Sequence, residues 1–146
     1  MKWTMIFGAA CMAMAFGASG CGDDSSSGER LRILVTNDDG VGAEGIDAIV
    51  QALIADPAND VTVCAPESNR SGSGDMTGPS DFCGDLSVFT TTTISGYGAT
   101  AIDGCPADAV NYALAALYPA DAPPDVVLSG INEGQNVSAV ISSVSG

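Results

Sequence analysis

The sequence predicts an α/β domain built on a mostly parallel sheet, and three observations predict it. The short apolar runs Ile33-Leu34-Val35, Val61-Thr62-Val63-Cys64 and Val126-Val127-Leu128 have the length and residue types of buried strands. Between them lie segments whose apolar residues recur at helical spacing. Each of the three runs passes straight into a polar, glycine-bearing loop, and in open parallel sheets the crevice beyond the carboxyl ends of the strands is where ligands bind.

Taken in order, Ile33 to Val35 is the first strand and Asn37-Asp38-Asp39-Gly40 the turn at its carboxyl end. Ile46, Ile49, Val50, Leu53 and Ile54 then mark one face of an amphipathic helix, ended by Asp56-Pro57 because the residue before proline disfavours helix. Val61 to Cys64 closes a strand, helix, strand unit of about thirty residues, whose crossover makes the two strands parallel neighbours. Pro66 to Gly74 is a loop rich in small residues and donors, and the stretch from Asp75 to Gly84 extends it without periodicity. Leu86 to Ile94, with four consecutive threonines, has strand propensity, and Ala99 to Ile102 is a further short strand. Cys105-Pro106-Ala107-Asp108 opens a second helix with proline in its first turn, and Val110, Ala113, Leu114 and Leu117 supply its buried face. Pro119 and Pro123-Pro124 end that element, and Val126 to Leu128 is expected to be covered on both faces.

With 146 residues and 46% hydrophobic content, the chain allows one folded domain. Its start is of another kind. Met1-Lys2-Trp3 followed by an apolar run from Met5 to Phe16 has the form of a secretory signal, and Ala18-Ser19-Gly20-Cys21 resembles a bacterial lipobox, with Cys21 as the lipidated first residue of the mature protein. An ordinary cleaved signal is the alternative. The run is shorter than the about 20 apolar residues that a spanning helix needs. Residues 1–21 are thus read as signal peptide, 22–30 as a flexible acidic and serine-rich tether, and 31–146 as the α/β domain. The expected location is exported, as a periplasmic or outer-membrane lipoprotein that meets the membrane only through its lipid.

The formal charge is −14, with four Lys and Arg against 18 Asp and Glu, which excludes binding a nucleic acid polymer through its phosphates. Histidine is absent, and with it go the Ser-His-Asp triad, the Cys-His pair, the His-ligated metal and the His general base. Of the five cysteines, Cys11 and Cys21 belong to the leader, and Cys64 reads as a buried strand residue. Cys83 and Cys105 are available to pair in an oxidising compartment, a connectivity that spacing alone does not fix. No spacing matches a zinc site.

Chemistry therefore rests on oxygen. Asp38 and Asp39 would repel each other if both were aimed into one dry crevice, and a hard divalent cation removes that conflict. A solvated turn is the plainer reading of the tetrapeptide. Convergence of the three loops would bring Asp38, Asp39, Ser71 and Asn132 within reach of one such ion.

Four stretches carry a resemblance in order and spacing: Arg32-Ile33-Leu34-Val35-Thr36-Asn37-Asp38-Asp39-Gly40, Ala65-Pro66-Glu67-Ser68-Asn69-Arg70-Ser71-Gly72, Gly104-Cys105-Pro106-Ala107-Asp108 and Ser129-Gly130-Ile131-Asn132-Glu133-Gly134-Gln135-Asn136. Together they resemble the SurE family of survival-protein phosphatases, over essentially everything after Glu29. The resemblance implies a Rossmann-like three-layer sandwich and a metal-dependent 5'-nucleotidase, a phosphomonoesterase that hydrolyses nucleoside 5'-monophosphates to nucleoside and phosphate. It implies Asp38, Asp39, Ser71 and Asn132 as ligands of Mg2+ or Mn2+, with Asp38, Asp39 and Asn132 catalytic. It puts Asn136, Ser145 and Gly146 near the phosphate, where Arg70 is a further candidate, an arginine after a strand being as often a surface charge. No general acid is assigned.

The chain departs from the family where Val137-Ser138 replaces a usual glycine, where one residue is inserted before Ser145-Gly146, and where Val144 stands in place of a common tyrosine. Family members continue past this point with further core elements and an oligomerising extension, so the domain is expected to be incomplete at its C-terminus and, at full length, homo-oligomeric. The alternative to the enzyme is a lipid-anchored metal- or nucleotide-binding or scaffold protein without catalysis.

Overall fold

A computed structural model describes residues 30–134 of the chain. The signal and lipobox with Cys21, the tether up to Glu29, and the phosphate-end candidates Asn136, Ser145 and Gly146 lie outside the described residues.

Among the described residues seven elements follow one another: β1 (Leu31–Thr36), α1 (Glu44–Ile54), β2 (Asn59–Pro66), β3 (Val88–Thr92), β4 (Gly98–Ile102), α2 (Pro106–Ala116) and β5 (Val126–Ser129). The strands form one sheet in the order β3-β4-β2-β1-β5. β1 pairs in parallel with both β2 and β5, β2 with β4 in parallel, and only β3 runs antiparallel, against β4. This is the α/β, mostly parallel arrangement that the alternation of apolar runs and amphipathic segments predicts. The expected strand from Leu86 to Ile94 contracts to β3, since the chain pairs with β4 only from Val88 to Thr92.

The pleat of β1 explains why its sequence is apolar without alternation. Ile33 and Val35 point to one face, where they join Val41, Ile46, Val50, Val61, Val63, Ala65, Ala99 and Ala101. Leu34 points to the other, against Cys64, Ile102, Ala109 and Ala113. α1 covers the first face and α2 the second, so the sheet is the middle of three layers.

Each helix corrects one expectation about its buried face. In α1, Ile46 and Val50 are buried and Ile49 and Leu53 pack at the edge of the core, whereas Ile54 is exposed. Ile54 lies about 80° round the helix from Ile46, which puts it at the rim in the last turn. In α2 the contact is made by Ala109 and Ala113, small side chains that let the helix axis approach the sheet. Val110, Tyr112 and Leu117 flank them, and Leu114 falls outside this narrow seam and is exposed.

β5 is a third correction. Val126 and Val127 are exposed rather than covered on both faces. Among the described residues the strand is an edge of the sheet, and none of the described helices packs on it closely enough to bury it. Among the described residues no helix is long and apolar enough to cross a membrane.

The long excursion between β2 and β3 is held down at its far end. A disulfide joins Cys83 to Cys105, the residue before α2. Asp108, in the first turn of α2, accepts from the Cys105 N–H at 3.0 Å and from the Gly78 N–H at 2.8 Å. Cys64 is fully buried in β2, and burial pushes its thiol up to about 12.

Candidate functional site

With β5 and β2 on opposite sides of β1, the loops after β1 and β5 leave the sheet side by side at its carboxyl edge, where the strand order reverses. The loop after β1 is made rigid by its own side chain. Asn37 donates from Nδ2 to the Gly40 carbonyl at 3.0 Å and accepts the Gly40 N–H on Oδ1 at 3.2 Å, both buried. Gly40 has φ of +105°, and a Cβ there would lie 3.1 Å from the backbone of Ser68. Glycine is needed twice over, for the left-handed backbone and for the close approach of the second loop.

Backbone and side-chain hydrogen bonds then gather the loops after β2 and β5 onto Asp38 and Asp39. The Arg70 N–H donates to the Asp38 carbonyl at 2.7 Å, and the Val41 N–H to the Pro66 carbonyl at 2.8 Å. Asn69 donates from Nδ2 to Asp39 Oδ1 at 3.3 Å, while its own Oδ1 accepts the Ser71 N–H at 2.8 Å. From the other side the Glu133 N–H donates to Asp39 Oδ2 at 2.7 Å, and the Gly130 N–H to the Thr36 carbonyl at 2.9 Å. The loop after β5 also sits against α1, since a Cβ on Gly45 would lie 1.9 Å from the Ile131 carbonyl oxygen.

The residues expected as metal ligands make these contacts or stand next to residues that do, and the Asn132 amide donates to the Glu133 carbonyl at 3.4 Å. Asp38 is buried and Asp39 half-buried, Ser71 directly follows the residue that grips Asp38, and Asn132 directly precedes the residue that grips Asp39. The donor set contains oxygen alone, two carboxylates with a hydroxyl and an amide, which is the chemistry of a hard divalent cation. Each Asp39 oxygen keeps a lone pair beyond the one its hydrogen bond uses. Beside this junction, a cleft of about 580 Å³ is lined by Gly42 to Gly45, Ala48 and Ile131 to Glu133.

Arg70 is held elsewhere. Its Nη2 pairs with Asp103 Oδ1 at 2.5 Å, so its charge is matched inside the protein. Cys83, Cys105 and Asp108 bring three potential ligand atoms within 4.8 Å of one another. The two sulfurs are bonded to each other and the carboxylate caps a helix and a loop, so no thiolate is available there to hold a metal.

Reasoning from sequence overlooked four participants: Asn37, Asn69, Asp103 and the backbone of Glu133. Asn69 had a readable signal, the Asn-x-Ser order in which the amide side chain receives the N–H two residues on. The Glu133 contact joins positions 94 apart and has none.

Comparison with known proteins agrees with the geometry. The model of the family described as "Survival protein SurE" matches residues 33–146. A protein named 5'-nucleotidase SurE from Carboxydothermus hydrogenoformans is 41% identical over 108 residues, covering 73% of this chain and 39% of that protein. One of the same name from Syntrophobacter fumaroxidans is 43% identical over 107 residues, covering 73% and 40%. The crystal structure of the Sure protein from Aquifex aeolicus superposes with a TM-score of 0.58 at 32% identity, covering 77% of this chain and 42% of that one. The chain spans about two-fifths of the length of the curated relatives it matches. A family model that covers most of the chain, together with the parallel sheet whose loops meet at Asp38 and Asp39, establishes that the chain belongs to the SurE family.

Proposed function

We propose that the protein is a metal-dependent phosphomonoesterase that releases phosphate from nucleoside 5'-monophosphates. The observation that carries this reading is Asp39, whose two oxygens receive Asn69 of the loop after β2 and Glu133 of the loop after β5 while Asp38 beside it is buried. Two adjacent carboxylates in a partly dry position favour a divalent cation, and the names of the relatives supply the substrate class.

Asp38, Asp39, Ser71 and Asn132 would hold Mg2+ or Mn2+. The ion supplies Lewis acidity toward a phosphoryl oxygen and toward water. The chain's own contribution is position. Asn37 and Gly40 fix the turn that carries the two carboxylates, and Asn69 and the Glu133 N–H each hold one Asp39 oxygen, so Asp39 is oriented before an ion binds. The surplus of negative charge repels free nucleotide, and the cation offsets that repulsion locally. The cleft between α1 and the loop after β5 lies within the size range of small-molecule sites and offers room for the nucleoside.

The same proposal places the protein outside the cytoplasm, anchored through Cys21, with assembly into a homo-oligomer. The buried Cys83–Cys105 disulfide supports the location, since such bonds persist in oxidising compartments.

The test is phosphate release from a nucleoside 5'-monophosphate by the purified protein with Mn2+ or Mg2+. Activity should vanish with chelator and in Asp38→Asn and Asp39→Asn. Turnover that survives both the chelator and the substitutions ends the proposal.

A further inference from the structure

Asp103, just beyond β4, lies outside the candidate ligand set, yet it terminates a chain of contacts that begins at that set. The Arg70 N–H holds the Asp38 carbonyl at 2.7 Å, and the guanidinium of the same Arg70 reaches Asp103 Oδ1 at 2.5 Å. Arg70 and Asp103 side chains are 19% and 29% exposed, so water screens the pair less than a surface pair. Asp103 is itself pinned. Its Oδ2 accepts the Asp85 N–H at 3.2 Å, its N–H donates to the Ser87 carbonyl at 2.8 Å, and its carbonyl accepts the Leu86 N–H at 2.8 Å. A Cβ on Gly84 would lie 2.2 Å from its carboxylate, so the neighbouring loop closes over it.

We propose that Asp103 is a positioning residue for the metal-binding loops: it fixes Arg70, and Arg70 fixes Asp38 on one side and Ser71 on the other. This rests on the metal reading above. Two physical effects support it. The Arg70 carbonyl also accepts the Ser73 N–H at 3.0 Å, so Ser71 sits inside a turn whose first residue Asp103 holds. Asp103 also supplies the counter-charge of the part-buried Arg70 guanidinium. With Asp103 removed, Arg70 keeps a buried Nε that has no hydrogen-bond partner and loses its counter-charge. The side chain must then move, or stand as an uncompensated, part-buried cation, and either strains the backbone that holds Asp38.

The test compares Asp103→Ala and Asp103→Asn with Asp125→Ala, which removes an ion pair of similar form with Arg32 at the other end of β1. Mn2+ affinity is measured by titration, turnover at saturating Mn2+ by phosphate release, and amide hydrogen exchange at Arg70 and Ser71 in the absence of metal. Both Asp103 variants should weaken Mn2+ binding by about 10-fold or more, the scale of losing a residue that orients a ligand. Turnover at saturating Mn2+ should stay within about twofold, and exchange at Arg70 and Ser71 should accelerate, while Asp125→Ala changes none of the three. A structural role alone lowers stability in all variants and leaves the affinity of the folded protein unchanged. That result, or equal effects of Asp103 and Asp125 substitutions, overturns the proposal. If the parent itself binds no Mn2+, the metal reading has failed, and the exchange rates at Arg70 and Ser71 alone decide whether Asp103 positions the loop.

Discussion

The backbone N–H of Glu133 donates to Asp39 Oδ2 at 2.7 Å, joining the loop after β5 to the loop after β1 across 94 residues of sequence. The contact uses no side chain of Glu133, so it depends on where β5 lies in the sheet. β5 is beside β1 because α2 carries the chain across the face opposite α1, and the parallel register Thr36↔Ser129 then sets the two loops level.

Gly45 measures how tightly that loop is held. Alanine is ordinarily better than glycine in a helix, by about 1 kcal/mol. Here the added Cβ would lie 1.9 Å from the Ile131 carbonyl oxygen, so the loop after β5 must move. Gly45→Ala should therefore lower the melting temperature and weaken Mn2+ binding, and a more stable variant with unchanged binding would show that the approach is not real.

The disulfide closes a segment of 22 residues and should stabilise the fold by about 3 kcal/mol. A Cys83→Ser/Cys105→Ser double variant should lose that amount in chemical denaturation. Peptide mapping after alkylation at pH 8 should find Cys64 unlabelled in the folded protein and labelled in denaturant, because burial holds its thiol at about 12.

Acid should weaken the fold through two carboxylates. Hydrogen bonds from the Arg32 side chain hold Asp125 below the usual carboxylate range, and the Ser95 hydroxyl does the same for Asp47. A group depressed in the folded state contributes stability that is full above its unfolded value, about 3.9, and is lost as pH falls through the folded value. Asp125→Asn should thus destabilise most at neutral pH, and its melting temperature should converge on the parent's as the pH falls through the depressed folded value. A difference that stays constant with pH would rule out this linkage.

Ile46 is fully buried at the centre of the α1 face. Ile46→Ala should cost about 3 kcal/mol, whereas Ile54→Ala, at the rim, should cost well under 1 kcal/mol. Equal costs would contradict the assignment of the buried face.

The contrast between Ile46 and Ile54 also shows what sequence can convey. The period of apolar residues located α1 and its middle, but the edge of its buried stripe depends on how the helix tilts against Val35 and Val63. For β5 the apolar run Val126-Val127-Leu128 is readable as a strand, while its exposure among the described residues follows from a pairing with β1 that local pattern does not encode. At the candidate site, the turn after β1 and its oxygen-bearing residues Asp38 and Asp39 are legible in the sequence, because they directly follow an apolar run. Asp103 is not, because its role exists only through Arg70, 33 positions away. For Arg70 the sequence leaves open a phosphate contact or a surface charge, and its Asp103 partner becomes visible only once the loops are folded.

The proposed function requires a divalent cation at the Asp38–Asp39 junction. Titration of the purified protein with Mn2+, followed by the electron paramagnetic resonance of the free ion, measures this without reference to turnover. The parent should take up one ion, and Asp38→Asn and Asp39→Asn should lose more affinity than the about 10- to 100-fold typical of residues that only orient ligands. Binding of Mn2+ by both variants with the affinity of the parent would contradict the account.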